Sequence, residues 1–283
     1  MSSRSLLPPV SRRAAHLVRR RVQALRPGER ELPRYFVVGV KRGGTTSLDE
    51  YVVDHPLVLR GLVEKGCRYY DVNYHRGPAW FRSHLPRSAA LDRAEARLGA
   101  RPIVGESSPY YCYHPEAPGR IAADVPDARL LLMLRDPVER AWSHYRYEVA
   151  RGFESLPADE ALAAEAQRLA DPDETTRWYH HRHFSYVGRS RYAEQLRRLH
   201  EHFDPEQVLV LQSEQLFADP AAVMARVFEH LGLPAHTSAD YRPHKALQEE
   251  AIPEAFRATV LAGIADDLPH LESLTGVRWP TRS

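Results

Sequence analysis

The chain has 283 residues, of which 43% are hydrophobic, 27% charged and 9% aromatic, a globular balance that excludes disordered, collagen-like and low-complexity classes. Lysine and arginine total 39 against 37 acids, too even for a sequence-nonspecific nucleic-acid binder. Cys67 and Cys112 give no disulfide framework and point to a reducing, cytoplasmic setting, and no run reaches the roughly 18 apolar residues of a membrane span.

Residues 1–34 carry nine arginines and two acids and no apolar h-region. They read as a basic, flexible arm, solvated or in weak contact with an anionic membrane surface, and not as a secretory signal. Residues 35–283 read as one domain. Tyr35-Phe-Val-Val-Gly-Val40 predicts a buried strand. A helix carrying Leu48, Tyr51 and Val52 follows and stops before Pro56. Leu57–Leu59 and Pro102–Gly105 are short apolar runs, the second leading into Glu106. Arg129–Leu134 is a continuous apolar strand, expected to be buried on both faces as in a parallel sheet.

The helix after it starts with Asp136 as cap, Pro137 in the first turn and Glu139 at capping-box spacing. Val138, Trp142, Tyr145 and Val149 predict its buried stripe, with Arg140, Ser143 and Tyr147 on another. Residues 153–183 break the alternation and read either as a helical insertion packing over one end of the sheet as a lid or as a surface excursion, ending in the aromatic, His-rich run Trp178–His183. A helix over 191–203, the strand Val208–Leu211 and a helix over 220–231 closed by Gly232 complete the pattern. Strands alternating with helices predict an α/β fold: three layers, P-loop-like, with a mostly parallel central sheet.

Chemistry begins at Gly39-Val-Lys-Arg-Gly-Gly-Thr-Thr-Ser47, between a buried strand and a helix. Gly43 and Gly44 let the backbone turn its amides toward an anion. Thr45, Thr46 and Ser47 add hydroxyls at the helix N-terminus, and Lys41 and Arg42 add charge. An NTPase loop has lysine after its last glycine; here that residue is Thr45. No acid suited to Mg²⁺ closes the next strong strand, which ends in Arg135. The loop therefore fits a single 5′-phosphoryl group better than a metal-bound triphosphate, and no zinc-type Cys/His spacing is present. Arg135, with Ser143 two turns into the following helix, makes a second clamp for a phosphate at the end of a strand.

Together these motifs resemble the PAPS-dependent sulfotransferases (PAPS is 3′-phosphoadenosine 5′-phosphosulfate), nearest to the glycosaminoglycan-type, heparan sulfate sulfotransferase-like bacterial members. Lys41-Arg-Gly-Gly-Thr-Thr-Ser-Leu48 is similar to the family's 5′-phosphosulfate loop. Leu132-Met-Leu-Arg-Asp-Pro-Val-Glu-Arg-Ala-Trp-Ser143 is similar to its 3′-phosphate motif. Tyr69–Phe81, Gly105–Tyr110, Gly188–Phe203 and Val208–Leu233 follow in the family's order. The resemblance implies PAPS as co-substrate without a metal. It implies sulfuryl transfer to a hydroxyl or amine of a carbohydrate, glycolipid or secondary-metabolite acceptor, releasing adenosine 3′,5′-bisphosphate. It also implies that Gly188, Arg189, Ser190 and Tyr192 belong to the nucleotide pocket, and Arg242, His244 and Lys245 to a late basic cluster over it.

The chain departs from the family on the acceptor side. Arg42 stands where many members have the loop lysine, with Lys41 one place earlier. The family's acceptor-activating glutamate falls on Gly66, and a histidine of the glycosaminoglycan enzymes falls on Arg68; Asp71 is retained. Glu64, Asp71, His75 and His84 are the candidate bases, with Glu106–Tyr110 near the acceptor. The rival readings are a P-loop kinase or NTPase and a PAPS-binding homologue without activity.

Overall fold

The apolar runs assemble into a five-stranded sheet in the computed structural model, which describes residues 22, 28–61, 66–238, 241–242 and 250–279. β1 (Tyr35–Gly39) leads into α1 (Thr45–Val52) and the short strand β2 (Val58–Leu59). Helices α2 (Gly77–Arg82) and α3 (Ser88–Leu98) precede β3 (Ile103–Ser107), and α4 (Ala117–Asp124) precedes β4 (Arg129–Leu134). After α5 (Pro137–Ala150) come three short helices, α6 (Ala158–Ala163), α7 (Glu165–Leu169) and α8 (Glu174–His183). Then follow α9 (Tyr192–His200), β5 (Val208–Gln212), α10 (Ser213–Ala218), α11 (Pro220–His230), α12 (Glu254–Ile264) and α13 (Asp267–Thr275).

The strand order is β2-β3-β1-β4-β5, and every pairing is parallel. From β1 the chain leaves toward β2 at one edge; from β4 it leaves toward β5 at the other. The carboxyl ends of β1 and β4 therefore flank a crevice at the point where the winding reverses, the place where ligands bind in open α/β sheets. Both loops singled out in the sequence end there.

Burial on both sheet faces follows the strand period of two. Phe36, Val38, Leu130, Leu132 and Leu134 pack on one side with Ile121, Tyr192 and Leu196. Tyr35, Val37, Leu131 and Met133 pack on the other with Leu48, Val52, Val227 and Phe228. Each such side chain contributes about 1.5–3 kcal/mol through burial. A third apolar cluster joins Val138 and Ala141 of α5 to Leu162, Phe184, Phe256 and Val260. Residues 28–34, assigned to the arm by composition, are tied to the domain: Ser88 donates to the Glu29 carbonyl at 3.0 Å and Arg34 to the Val104 carbonyl at 2.8 Å. Among the described residues no helix is long and apolar enough to cross a membrane.

One expectation is overturned on α5. Asp136 caps it, accepting from the Val138 and Glu139 amides at 3.0 and 2.9 Å. The predicted stripe keeps Val138, Trp142 and Tyr145 against the third cluster but loses Val149, and a polar face is buried beside it. Val149 is 43% exposed, Trp142 and Tyr145 are half-buried, and Arg140, His144 and Glu148 are fully buried. These three are one helical turn apart in succession and stack along one face. Burial of charge at such cost requires partners, and they come from elsewhere in the chain. Arg140 donates to Ser190 Oγ and the Tyr186 carbonyl. Glu148 accepts from Lys41 and His183.

Candidate active site

The crevice opens into a cavity of about 1350 Å³, walled by the β1–α1 loop, the start of α5, the 153–183 insertion, α10 and residues 250–252. Of the residues predicted to bind phosphate, Lys41, Arg42, Gly44, Thr45, Thr46, Arg135 and Ser143 all line it. The two predicted anion sites are thus brought to one space. They touch directly: Arg42 Nε donates to Ser143 Oγ at 3.0 Å.

Local backbone explains how the loop presents its groups. Gly44 takes φ +87° at the N-cap of α1, and no side chain caps the helix, whose N-terminus opens on the cavity through Gly44, Thr45 and Thr46. Arg42 is also left-handed, with φ 72°, a conformation costly for a residue with a Cβ and concentrated at functional sites. That turn lays its guanidinium 4.8 Å from the Tyr147 ring centre. Burial lowers the Arg42 pKa from its ordinary value. Gly43 and Ser47 lie behind the wall. A Cβ on Gly43 would fall 2.6 Å from the Met133 carbonyl oxygen, and Ser47 is fully buried.

Arg135 leaves the end of β4 and pairs with Glu139 one turn into α5, Nη2 to Oε2 3.0 Å. Tyr192 does not line the cavity. It is buried, and its hydroxyl donates to the Arg135 carbonyl at 2.8 Å, so it holds the strand end in place from behind. Arg242 is exposed and off the cavity wall. Glu64, His244 and Lys245 lie outside the described residues.

The wall carries nine basic side chains, among them Arg68, Arg146, Arg151, Arg182, Arg189 and Arg257, against three carboxylates, Glu139, Glu214 and Glu250. Arg189 was placed in the pocket by resemblance, and it is on the wall. It is only 1% exposed, stacked over Tyr110 and Tyr113, and donates through Nη2 to the His181 and Arg182 carbonyls. Its Nε and Nη1 have no hydrogen-bond partner among the described residues. A buried, half-satisfied guanidinium on a basic wall has donors that an anion could take up.

The candidate bases fare differently. His75 is exposed on the short turn before α2. His84 is buried with Nδ1 2.8 Å from the Trp80 carbonyl, and neither histidine lines the cavity. Asp71 is buried behind Arg68. It accepts from the Val72 amide and lies 3.6 Å from Arg68 Nε, while burial raises its pKa. Glu106 is likewise buried off the wall, accepting from Ser108 Oγ at 2.6 Å and the Arg68 amide at 3.3 Å. Burial pushes its carboxyl up to about 7. At position 66 a side chain has no room, because a Cβ there would sit 2.0 Å from the Ser107 carbonyl oxygen. Three groups that sequence periodicity did not mark also lie at the cavity or directly behind it. Glu148 was unmarked, His183 was read only as part of an aromatic run, and Tyr147 was noted only as one member of a helical stripe.

The family model of the Sulfotransferase family matches residues 33–237. Heparan sulfate glucosamine 3-O-sulfotransferase 6 of Homo sapiens is 37% identical over 207 residues, covering 73% of this chain and 54% of that protein. Heparan sulfate glucosamine 3-O-sulfotransferase 3B1 of Mus musculus is 33% identical over 206 residues, 73% of this chain and 47% of its own length. The chain therefore spans about half the length of these curated relatives. A solved sulfotransferase of Alicyclobacillus acidocaldarius superposes with a TM-score of 0.66 at 29% identity, covering 88% of this chain and 98% of that one. With the two phosphate-type loops at one crevice and a family model matched across most of its length, the chain belongs to the sulfotransferase family.

Proposed function

We propose that the cavity binds 3′-phosphoadenosine 5′-phosphosulfate and transfers its sulfuryl group to a hydroxyl or amine of a glycan or similar small acceptor, leaving adenosine 3′,5′-bisphosphate. The observation that carries this is the meeting of the two anion sites: Arg42 of the first bonds Ser143 of the second, and both face the same space as Arg135. The donor set fits a doubly phosphorylated nucleotide, since basic side chains outnumber carboxylates three to one on the wall and Arg189 keeps unpaired N–H groups there.

The loop residues Gly44, Thr45 and Thr46 with Arg42 hold the 5′-phosphosulfate; Arg135 and Ser143 hold the 3′-phosphate. The donor supplies an activated S–O bond. As that bond breaks, negative charge collects on the departing phosphate, where Arg42 and the N-terminus of α1 are already aimed; a charge that develops beside fixed donors lowers the barrier without reorganisation. Arg42 does this as a cation, not as a proton donor, because a guanidinium stays protonated. The basic rim of Arg146, Arg151 and Arg257 favours an acceptor that carries negative charge. Calorimetric titration with adenosine 3′,5′-bisphosphate and with ATP–Mg²⁺ tests the reading. The expected result is metal-independent binding of the bisphosphate and weaker binding of ATP–Mg²⁺; the reverse preference favours the kinase or NTPase reading and defeats this one.

A further inference from the structure

Sulfuryl transfer to a hydroxyl needs a group to take the proton, and the usual position for it is closed. Gly66 admits no side chain, while Asp71 and Glu106 sit behind the wall. The three carboxylates on the wall are engaged: Glu139 with Arg135, Glu250 with Arg146 at 2.8 Å, and Glu214 with the Asp136 amide at 2.8 Å. One imidazole lines the cavity among the described residues, that of His183.

Its hydrogen bonds fix its protonation. Nδ1 lies 2.8 Å from Glu148 Oε2, and Arg182 Nε lies 2.9 Å from Nε2. A carboxylate only accepts and a guanidinium only donates, so Nδ1 carries the proton and Nε2 the lone pair. Glu148 is fully buried and also accepts from Lys41 Nζ, the residue just before Arg42. The imidazole is thus one carboxylate away from the phosphate loop. A buried carboxylate that sets an imidazole's tautomer and leaves the second nitrogen as an acceptor is the arrangement of a general-base dyad.

We propose that His183 is the general base of the transfer and that Glu148 is its positioning residue. The proposal rests on the sulfuryl-transfer reading. The acceptor hydroxyl displaces the Arg182 N–H and passes its proton to Nε2. Its oxygen forms the new O–S bond. The bond from sulfur to the 5′-phosphate oxygen breaks, with its electron pair staying on the phosphate. The imidazolium then releases the proton to water. Groups facing the ring from the packed elements are Lys41, Glu148, Arg182 and the rings of Tyr179 and Phe153, the latter beneath Arg151. Burial lowers the imidazole pKa; Glu148 opposes that shift, and Lys41 and Arg182 reinforce it.

The test measures release of adenosine 3′,5′-bisphosphate from PAPS by the full chain between about pH 5 and 9, with a heparan sulfate oligosaccharide as acceptor and with water alone. Wild type, His183→Gln and Glu148→Gln are compared, and each is titrated with the bisphosphate. His183→Gln is expected to lower kcat by roughly 10²–10⁴-fold, to keep bisphosphate affinity within about threefold and to abolish the acidic limb of the pH profile. Glu148→Gln is expected to lower kcat while keeping a displaced limb. Undiminished turnover in His183→Gln, an acidic limb that persists in it, or wild type no faster than it with both acceptors overturns the proposal and leaves the nucleotide reading standing. Failure of wild type to bind the bisphosphate overturns both.

Discussion

Replacing Arg135 with alanine isolates the second anion site. In the free protein Arg135 pairs with Glu139 at 3.0 Å, both side chains being 32% exposed. A pair so open to water contributes about 0–1 kcal/mol to stability. A charge-assisted hydrogen bond to a bound phosphate is larger, about 1.5–3 kcal/mol, or roughly 10- to 150-fold in Kd. Removing the guanidinium also leaves the Glu139 carboxylate facing the phosphate, which pushes the loss toward the upper end. Arg135→Ala should therefore weaken adenosine 3′,5′-bisphosphate by roughly 100-fold, within that range, in metal-free calorimetry at fixed ionic strength. The thermal midpoint should fall by about 2–4 °C at most. Adenosine 5′-phosphosulfate, which lacks the 3′-phosphate, should bind the variant and wild type alike, and adding Glu139→Gln should recover part of the loss. A change below about threefold, or an equal loss for the ligand without a 3′-phosphate, would refute the assignment.

Gly66→Ala should destabilise the protein by about 1–3 kcal/mol in denaturant unfolding, because its new Cβ meets the Ser107 carbonyl; Gly66→Glu should do at least as much and bring no gain in turnover. Glu106 has a folded-state pKa raised to about 7 by burial. Its carboxyl therefore keeps its proton in the native state while the unfolded chain loses it, so stability falls as pH rises from about 4.3 toward 7, by up to about 1.4 kcal/mol per pH unit. Glu106→Gln should remove that slope from thermal melts recorded across the window. Glu154 is buried and accepts from both Arg168 nitrogens and from Tyr186. Glu154→Gln should cost about 3 kcal/mol at neutral pH. Burial opposes the charge of Glu154, but Arg168, the Leu156 amide and Tyr186 hold its pKa below the ordinary range. The wild-type advantage is thus full above the unfolded carboxyl pKa and fades as pH falls through the folded one.

The sheet and its loops were legible because their signals are local. β1 and β4 are unbroken apolar runs bounded by glycines or a cap, and Gly43–Ser47 lies where such a run meets a helix. The inner face of α5 was not legible. Periodicity gave Val149 to the core, set Arg140 on a separate stripe and left His144 and Glu148 unmarked, yet Val149 is exposed and the other three are buried. What reverses it for Arg140 and Glu148 is non-local: Ser190 bonds the first, and Lys41 and His183 bond the second, from segments distant in sequence. A hydropathy pattern counts such residues as solvent-facing because it cannot see their partners. The closure of position 66 had the same origin, since the carbonyl that fills it belongs to β3.

The central strand acquires its neighbours late. Tyr35 is held between Gly105 and Arg129, so β1 waits until β3 has been made for its first flank and until β4 has been made for its second. During that interval Tyr35–Gly39 is an apolar segment without its sheet neighbours, the kind of stretch that is prone to aggregate. The glycine turn that follows it can take its final shape only after β4 has been delivered, since Val40 is anchored to the Met133 carbonyl. The shape of that turn is therefore set only once the β1–β4 pair has closed.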